Sequence, residues 1–169
     1  MSATLLAASA LPSEVVDAAC VSIENTLASI LGNRPVRSTG HAPTDGPAVL
    51  GIISFVGDEK WSLSLMLVDP VASTMVEKFC GMALPFDSPD LGDAVGELVN
   101  VIAGEVVAQM EKRRLQARMY LPIVIRGQAM ALVQERGTSV EQVDYSSACG
   151  PFCVRLTTVS GVAGQRFHR

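Results

Sequence analysis

The chain has 169 residues, of which 49% are apolar, and a formal net charge of −4. This length suits one domain with a sizeable core, and the negative charge with only 5% aromatic residues argues against nucleic-acid binding. No apolar run approaches the roughly 18 residues that a membrane-spanning helix needs, so we expect no membrane insertion.

The cysteines and histidines offer little for a metal site or a cofactor. Cys20 and Cys80 lie in apolar helical patterns, which predicts that both are small core residues. Cys149 and Cys153 are separated by three residues instead of the two of a zinc or redox motif, and the chain has only two histidines. We therefore expect no bound metal and no cofactor, and a reducing, cytoplasmic compartment.

The N-terminal part predicts a flexible arm followed by a long helix. Residues 1–12 are uncharged and rich in Ala and Leu, without the basic start of a signal peptide. Ser13 is the predicted cap of a helix that runs through Leu31, and Gly32 is its predicted end.

A loop and a hairpin follow this helix. Residues 32–46 are loop-like by composition, with a possible short strand near Val36. Residues 48–56 form an apolar run typical of a buried strand, and residues 61–68 alternate apolar and polar side chains as a strand does. The pattern indicates an antiparallel pair turned at residues 57–60.

A further helix is predicted from Asp69, the cap, through Pro70 in its first turn to Gly81. A long helix then spans Ser88 to Arg114, with Ser88 as a good N-cap. Its apolar residues share one face at 100° per residue: Val95, Leu98, Val99, Ile102, Val106 and Met110.

The C-terminal part predicts further strands. These are residues 119–125, a turn at 126–128, residues 129–134, a possible strand at 140–145, and residues 152–159, with 161–169 as a tail.

The order of elements repeats, because a long helix, a strand or loop and a hairpin follow both Ser13 and Ser88. We therefore predict one α+β domain over residues 13–160 with pseudo-twofold symmetry, in which long helices pack on a mainly antiparallel sheet.

The face of the long helix opposite its apolar face carries Asp93, Glu97, Asn100 and Gly104. Glu97 and Asn100 are neighbours at i and i+3, and no other glutamate of the chain has an asparagine three residues later. The amide can hold a water molecule and the carboxylate can accept from a cation. The pair would be a poor active site by itself, and the alternative is that both side chains simply face solvent.

The segment Asp93-Ala-Val-Gly-Glu97-Leu-Val-Asn100-Val-Ile-Ala-Gly104 resembles the signature of the CheC/CheX family of chemotaxis phosphatases. Pro122 matches a proline that the family carries a little over twenty residues further on. The resemblance spans roughly residues 48–127, and a single motif on the second long helix is similar to the CheX branch.

The resemblance implies hydrolysis of the aspartyl phosphate of a CheY-like response regulator. Asn100 would orient the attacking water and Glu97 would engage the receiver's active-site lysine. Asp93, Val101 and Gly104 would contact the partner, with the missing side chain of Gly104 allowing close approach. Mg²⁺ would be bound by the receiver, and the protein would be a cytoplasmic homodimer.

Two other functions compete with the phosphatase. A non-catalytic adaptor would dock on a receiver domain or on a flagellar switch component without turnover. A plain apolar dimerisation domain would bind no receiver at all.

Overall fold

The computed structural model describes residues 10–133 and 137–159. Its three helices are α1 (Ser13–Leu31), α2 (Asp69–Cys80) and α3 (Pro89–Lys112). Its seven strands are β1 (Val36–Ser38), β2 (Pro47–Gly57), β3 (Trp61–Val68), β4 (Ala117–Met119), β5 (Ile123–Gln128), β6 (Thr138–Ser147) and β7 (Gly150–Val159). None of the described helices is long and apolar enough to cross a membrane.

The strands form one antiparallel sheet in the order β1-β6-β7-β3-β2-β4, with β5 also paired to β2. The chain divides into two halves with the same order of elements, α1-β1-β2-β3 and α3-β4/β5-β6-β7. The strand order is symmetric when the strands of one half are exchanged for the corresponding strands of the other. The central pair is β3 with β7, and each half places its outermost strand beside the other half. The α+β class and the pseudo-twofold order of elements are therefore confirmed.

The core lies between the sheet and the helices. Alternate residues of β2 and β3, such as Ile53 and Leu65, point towards the helices and are buried. The six apolar α3 residues singled out in the sequence are all buried as well. A smaller cluster of Leu50, Met66 and Cys153 lies on the opposite sheet face under Ala42, so this face is partly apolar.

Helix α3 packs very closely on β2, and this contact fixes the height of the helix above the sheet. A β-carbon added to Gly51 would lie 2.5 Å from Cγ2 of Val99 and 3.4 Å from Cγ1 of Val95. Any side chain at this point of β2 would force α3 away from the sheet. Glycine at position 51 therefore allows the buried face of α3 to lie this close to the sheet.

A buried carboxylate ties α1 to the sheet. Glu24 is only 7% exposed and accepts hydrogen bonds from Arg34 (2.7 Å) and Arg37 (2.7 Å). The Tyr145 hydroxyl lies 3.4 Å from the same carboxylate. Burial alone would raise the pKa of Glu24, but the bonds from the two arginines outweigh it and lower that pKa. The ionised carboxylate is therefore part of the folded structure.

All three predicted helices are present, but two of the three predicted N-cap residues are wrong. Ser88 caps α3 by accepting from the Leu91 N–H at 3.2 Å, as predicted. Ser13 and Asp69 are not caps, because α1 and α2 follow Pro12 and Val68 without a side-chain cap bond. The Asp69 carboxylate instead accepts from the Ser73 hydroxyl one turn later.

The region after α3 differs most from the sequence prediction. The predicted strand at 119–125 is divided into β4 and β5, and the predicted turn at 126–128 lies inside β5. The chain bends instead at Ala129, whose φ of 48° is in the left-handed region. Residues 129–133 are not a strand, and Gln134 lies outside the described residues.

The remaining predictions concern single residues and the chain ends. Cys20 is buried as predicted, whereas Cys80 is exposed because the buried stripe of α2 ends at Val76. Leu11 already packs in the core, just ahead of the predicted start of the domain. The remainder of the predicted arm, residues 1–9, and the predicted tail lie outside the described residues.

Candidate functional site

The candidate site is the face of α3 that turns away from the core. Asp93 and Glu97 are exposed there and Asn100 is half-buried. None of these three side chains forms a hydrogen bond or an ion pair within residues 10–133 and 137–159. Their polar groups are therefore available to a second molecule.

Helical geometry brings Glu97 and Asn100 together. Residues at i and i+3 have their β-carbons about 5–6 Å apart on the helix surface. The buried neighbours on α3, Leu98 and Val99, hold this part of the helix rigidly in the core. The carboxylate and the carboxamide are therefore presented side by side on a fixed support.

Glu97 lines an open cleft of about 710 Å³ between the first turns of α3 and the strand β5. The cleft is lined by Pro89, Gly92, Asp93, Gly96, Glu97, Pro122, Val124 and Arg126. Pro122, which the family resemblance indicated from the sequence, therefore lines the same cleft as Glu97. The structure brings Asp93, Glu97 and Pro122 to one place.

Val101 and Gly104 lie on other parts of the same exposed face. Val101 is 41% exposed and lines a second groove of about 380 Å³, together with Ile30 of α1 and Phe79 of α2. A β-carbon added to Gly104 would have no atom within 4 Å. Packing within the described chain therefore does not require a glycine at 104.

Arg126 is a residue of the site that the sequence reading missed. Its Nη1 donates to the backbone oxygens of Phe86 (2.5 Å) and Ser88 (2.8 Å), and its guanidinium lies 6.0 Å from the centre of the Phe86 ring. The sequence instead predicted a turn at residues 126–128, which include Arg126. No sequence signal showed that β5 would carry this side chain back to the start of α3.

The described residues contain no group of three or more His, Cys, Asp or Glu side chains that could hold a metal ion. The polar groups of the site are two carboxylates, one carboxamide and one guanidinium. Such a set can bind a cation, orient a water molecule and bind an acceptor, which is chemistry suited to a protein partner that brings its own reactive group.

Comparison with known proteins identifies a family. The family model described as chemotaxis phosphatase CheX matches residues 49–146, which is more than half of the chain. The match includes α3 with Glu97 and Asn100 and the strand β5. Comparison with curated proteins gives no significant match.

Solved structures show the same fold. A CheC-like protein from Shewanella sp. PV-4 has a TM-score of 0.75 at 20% identity, with 87% of this chain and 98% of that chain covered. CheX from Desulfovibrio desulfuricans has a TM-score of 0.69 at 21% identity, covering 85% and 97%. CheX from Borrelia burgdorferi, solved with CheY, BeF₃ and Mg²⁺, has a TM-score of 0.65 at 17% identity, covering 88% and 97%.

Proposed function

The chain belongs to the chemotaxis phosphatase CheX family, and on this basis we propose that it hydrolyses the aspartyl phosphate of a CheY-like response regulator. The observation that carries the proposal is the unpaired state of Glu97 and Asn100 on the exposed face of α3. Neither side chain contributes a bond to the described fold, so both are free for a partner.

In the proposed reaction, Asn100 positions the attacking water. Its amide oxygen accepts a hydrogen bond from the water, which attacks the phosphorus in line with the bond to the aspartate oxygen. That P–O bond breaks, and the products are the free aspartate carboxylate and dihydrogen phosphate. An acyl phosphate is already activated, so a fixed water and exclusion of bulk solvent are the main requirements.

Glu97 holds the receiver in register in this proposal. Its carboxylate pairs with the active-site lysine of the receiver and thereby places Asn100 beside the phosphoryl group. Asp93 and Val101 extend the contact on either side of the pair, and Gly104 admits the receiver surface closely. Mg²⁺ is held by the receiver and screens the phosphoryl charge there.

The complex of Borrelia burgdorferi CheX with CheY, BeF₃ and Mg²⁺ supports a CheY-like protein as the partner. We also propose a cytoplasmic location, which the four cysteines support because all of them are free thiols.

Phosphate release from a panel of phosphorylated, Mg²⁺-loaded receiver domains tests the proposal. We expect the protein to accelerate release from at least one receiver, because it supplies the positioned water that the receiver lacks. Binding to a receiver with an unchanged rate would replace the phosphatase by the adaptor function. Absence of both binding and acceleration across the panel would leave only the fold.

We also propose that the protein is a homodimer, joined at the sheet edge formed by β4 and β5. This edge exposes several large apolar side chains: Met119, Tyr120, Leu121, Ile123 and Ile125. Leu121 is 87% exposed, which is unusual for a leucine and is typical of an interaction surface. The unpaired backbone groups of a sheet edge can also pair with a strand of a second molecule. Sedimentation equilibrium should give twice the monomer mass, and a monomer at micromolar concentration would contradict the dimer.

A further inference from the structure

The cleft beside Glu97 is larger than a salt bridge between one carboxylate and one lysine requires. It extends from Glu97 back to Pro89 and across to Arg126 on β5, and has a volume of about 710 Å³. A water-positioning residue and its neighbour need only a flat exposed helix face. The cleft therefore has room for a segment of a partner as well as for a lysine side chain.

Helix α3 carries glycine at two successive turns of the side that lines the cleft. At Gly96 an added β-carbon would lie 3.3 Å from Cγ2 of Val124, so close packing against β5 accounts for that glycine. At Gly92 an added β-carbon would have no atom within 4 Å. A glycine inside a helix is less favourable than an alanine, and at Gly92 no packing contact within the described chain accounts for it.

The two walls of the cleft carry opposite charges that do not pair with each other. Asp93 and Glu97 stand on α3, and Arg126 stands on β5. Ion pairs within the described residues involve none of the three. An occupant with a cationic group for the α3 wall and an oxygen acceptor for Arg126 would match both walls.

Arg126 is held in place before any partner arrives. Its Nη1 donates to the carbonyl oxygens of Phe86 and Ser88, and the guanidinium carbon lies 6.0 Å from the centre of the Phe86 ring. Within residues 10–133 and 137–159, its other nitrogens have no hydrogen-bond acceptor. A pre-fixed guanidinium with free N–H groups loses little side-chain entropy when it binds an acceptor.

We propose that this cleft receives the segment of the receiver that carries its active-site lysine, and that Arg126 binds a carboxylate of that segment. The proposal rests on the proposed function and extends it. The lysine meets Glu97 with Asp93 beside it, and the adjoining residues occupy the space above Gly92. Arg126 would then select among receivers, because only a segment that carries a carboxylate at that position can accept its hydrogen bonds.

Two substitutions test the proposal, each with a matched control on the distal end of α3. Gly92→Leu fills the cleft and Glu111→Leu adds the same side chain about 28 Å away along the helix. Arg126→Met removes the guanidinium and Lys112→Met removes a comparable exposed charge. The measured quantities are KM and kcat for dephosphorylation, the Kd for a receiver loaded with BeF₃⁻ and Mg²⁺, and the melting temperature.

We expect Arg126→Met to raise KM and Kd about tenfold or more, the scale of one lost charge-assisted bond. Gly92→Leu should raise both by about as much, because the leucine side chain occupies the space of the receiver segment. We expect kcat to stay within about twofold for both, since neither touches the reacting atoms. Gly92→Leu should not lower the melting temperature, because leucine favours the helix and meets open space. The two control variants should bind and turn over as the wild type does.

Wild-type Kd and KM in Gly92→Leu would overturn the cleft as a receiver site while leaving the phosphatase intact. A shift in Gly92→Leu without one in Arg126→Met would overturn the assignment of Arg126 alone. If the wild type binds receivers without accelerating release, the proposed function fails, and the Kd of Gly92→Leu still decides the cleft. If the wild type binds none of the receivers, both proposals fail.

Discussion

Helices α1 and α3 occupy equivalent places in the two halves of the fold, yet they use a glutamate in opposite ways. Glu24 of α1 is buried and bound by Arg34 and Arg37, whereas Glu97 of α3 is exposed and forms no bond within the described residues. The same side chain thus stabilises the fold in one half and is left free in the other. An unpaired polar group on a rigid helix is the better indicator of function.

The largest expected effect comes from Asn100. We expect Asn100→Ala to reduce the rate of phosphate release by roughly 10²-fold or more, the scale of a lost group that positions a reactant. Stability should be unchanged, since Asn100 bonds to no described residue. Asn33→Ala, an exposed asparagine in the loop after α1, is the control and should keep the wild-type rate.

Glu24→Gln should act on stability instead of activity. Loss of the charge-assisted bonds to Arg34 and Arg37 should lower the free energy of unfolding by about 2 kcal/mol, because both arginines are about half exposed and can rehydrate. Urea denaturation measures this loss. An unchanged unfolding midpoint would show that the network around Glu24 is not a structural anchor.

Glu97→Gln should show the reverse pattern. We expect kcat/KM to fall about tenfold, since a neutral amide loses the charge-assisted bond to the receiver lysine. The unfolding midpoint should stay within about 0.5 kcal/mol of wild type, as for most exposed substitutions. A destabilised Glu97→Gln with normal turnover would reverse the roles assigned to the two glutamates.

The smallest effect concerns the pH dependence of stability. The pKa of Glu24 is lowered for the reason given above, and that of Asp144 is lowered because bonds from Ala42 N–H and Gln142 outweigh its burial. A carboxylate whose pKa is lowered by folding stabilises the fold at pH values above its unfolded-state pKa of about 4. This stabilisation is lost as the pH falls through the pKa of the folded state. The free energy of unfolding should therefore decrease from about pH 5 downward, less steeply in Glu24→Gln. Equal slopes in the two proteins would contradict this assignment.

The sequence predicts α3 well because local rules determine it. Ser88, the following proline and the apolar face of α3 all favour one helix in one orientation, and the structure agrees at each point. The exposure of Glu97 follows from the same periodicity. A segment can be predicted from the sequence when its helix propensity, its capping residue and its pattern of burial all indicate the same structure.

The region around β5 could not be predicted because tertiary pairing overrides its local signals. Gly127 is typical of a turn, but pairing with β2 continues through it to Gln128, opposite Pro47. The placement of Arg126 depends on that register and on contacts with Phe86, about forty residues earlier in the chain. Periodicity and composition carry no information about such contacts, so the second wall of the cleft was missed.

The central claim is that the exposed face of α3 is the surface that meets the phosphorylated receiver. The most direct test follows the side-chain amide signals of Asn100 and Asn33 by ¹⁵N NMR during titration with a receiver loaded with BeF₃⁻ and Mg²⁺. We expect the Asn100 amide to shift or broaden as the complex forms, while the Asn33 amide stays at its free position. An unchanged Asn100 signal in a saturated complex would contradict the claim.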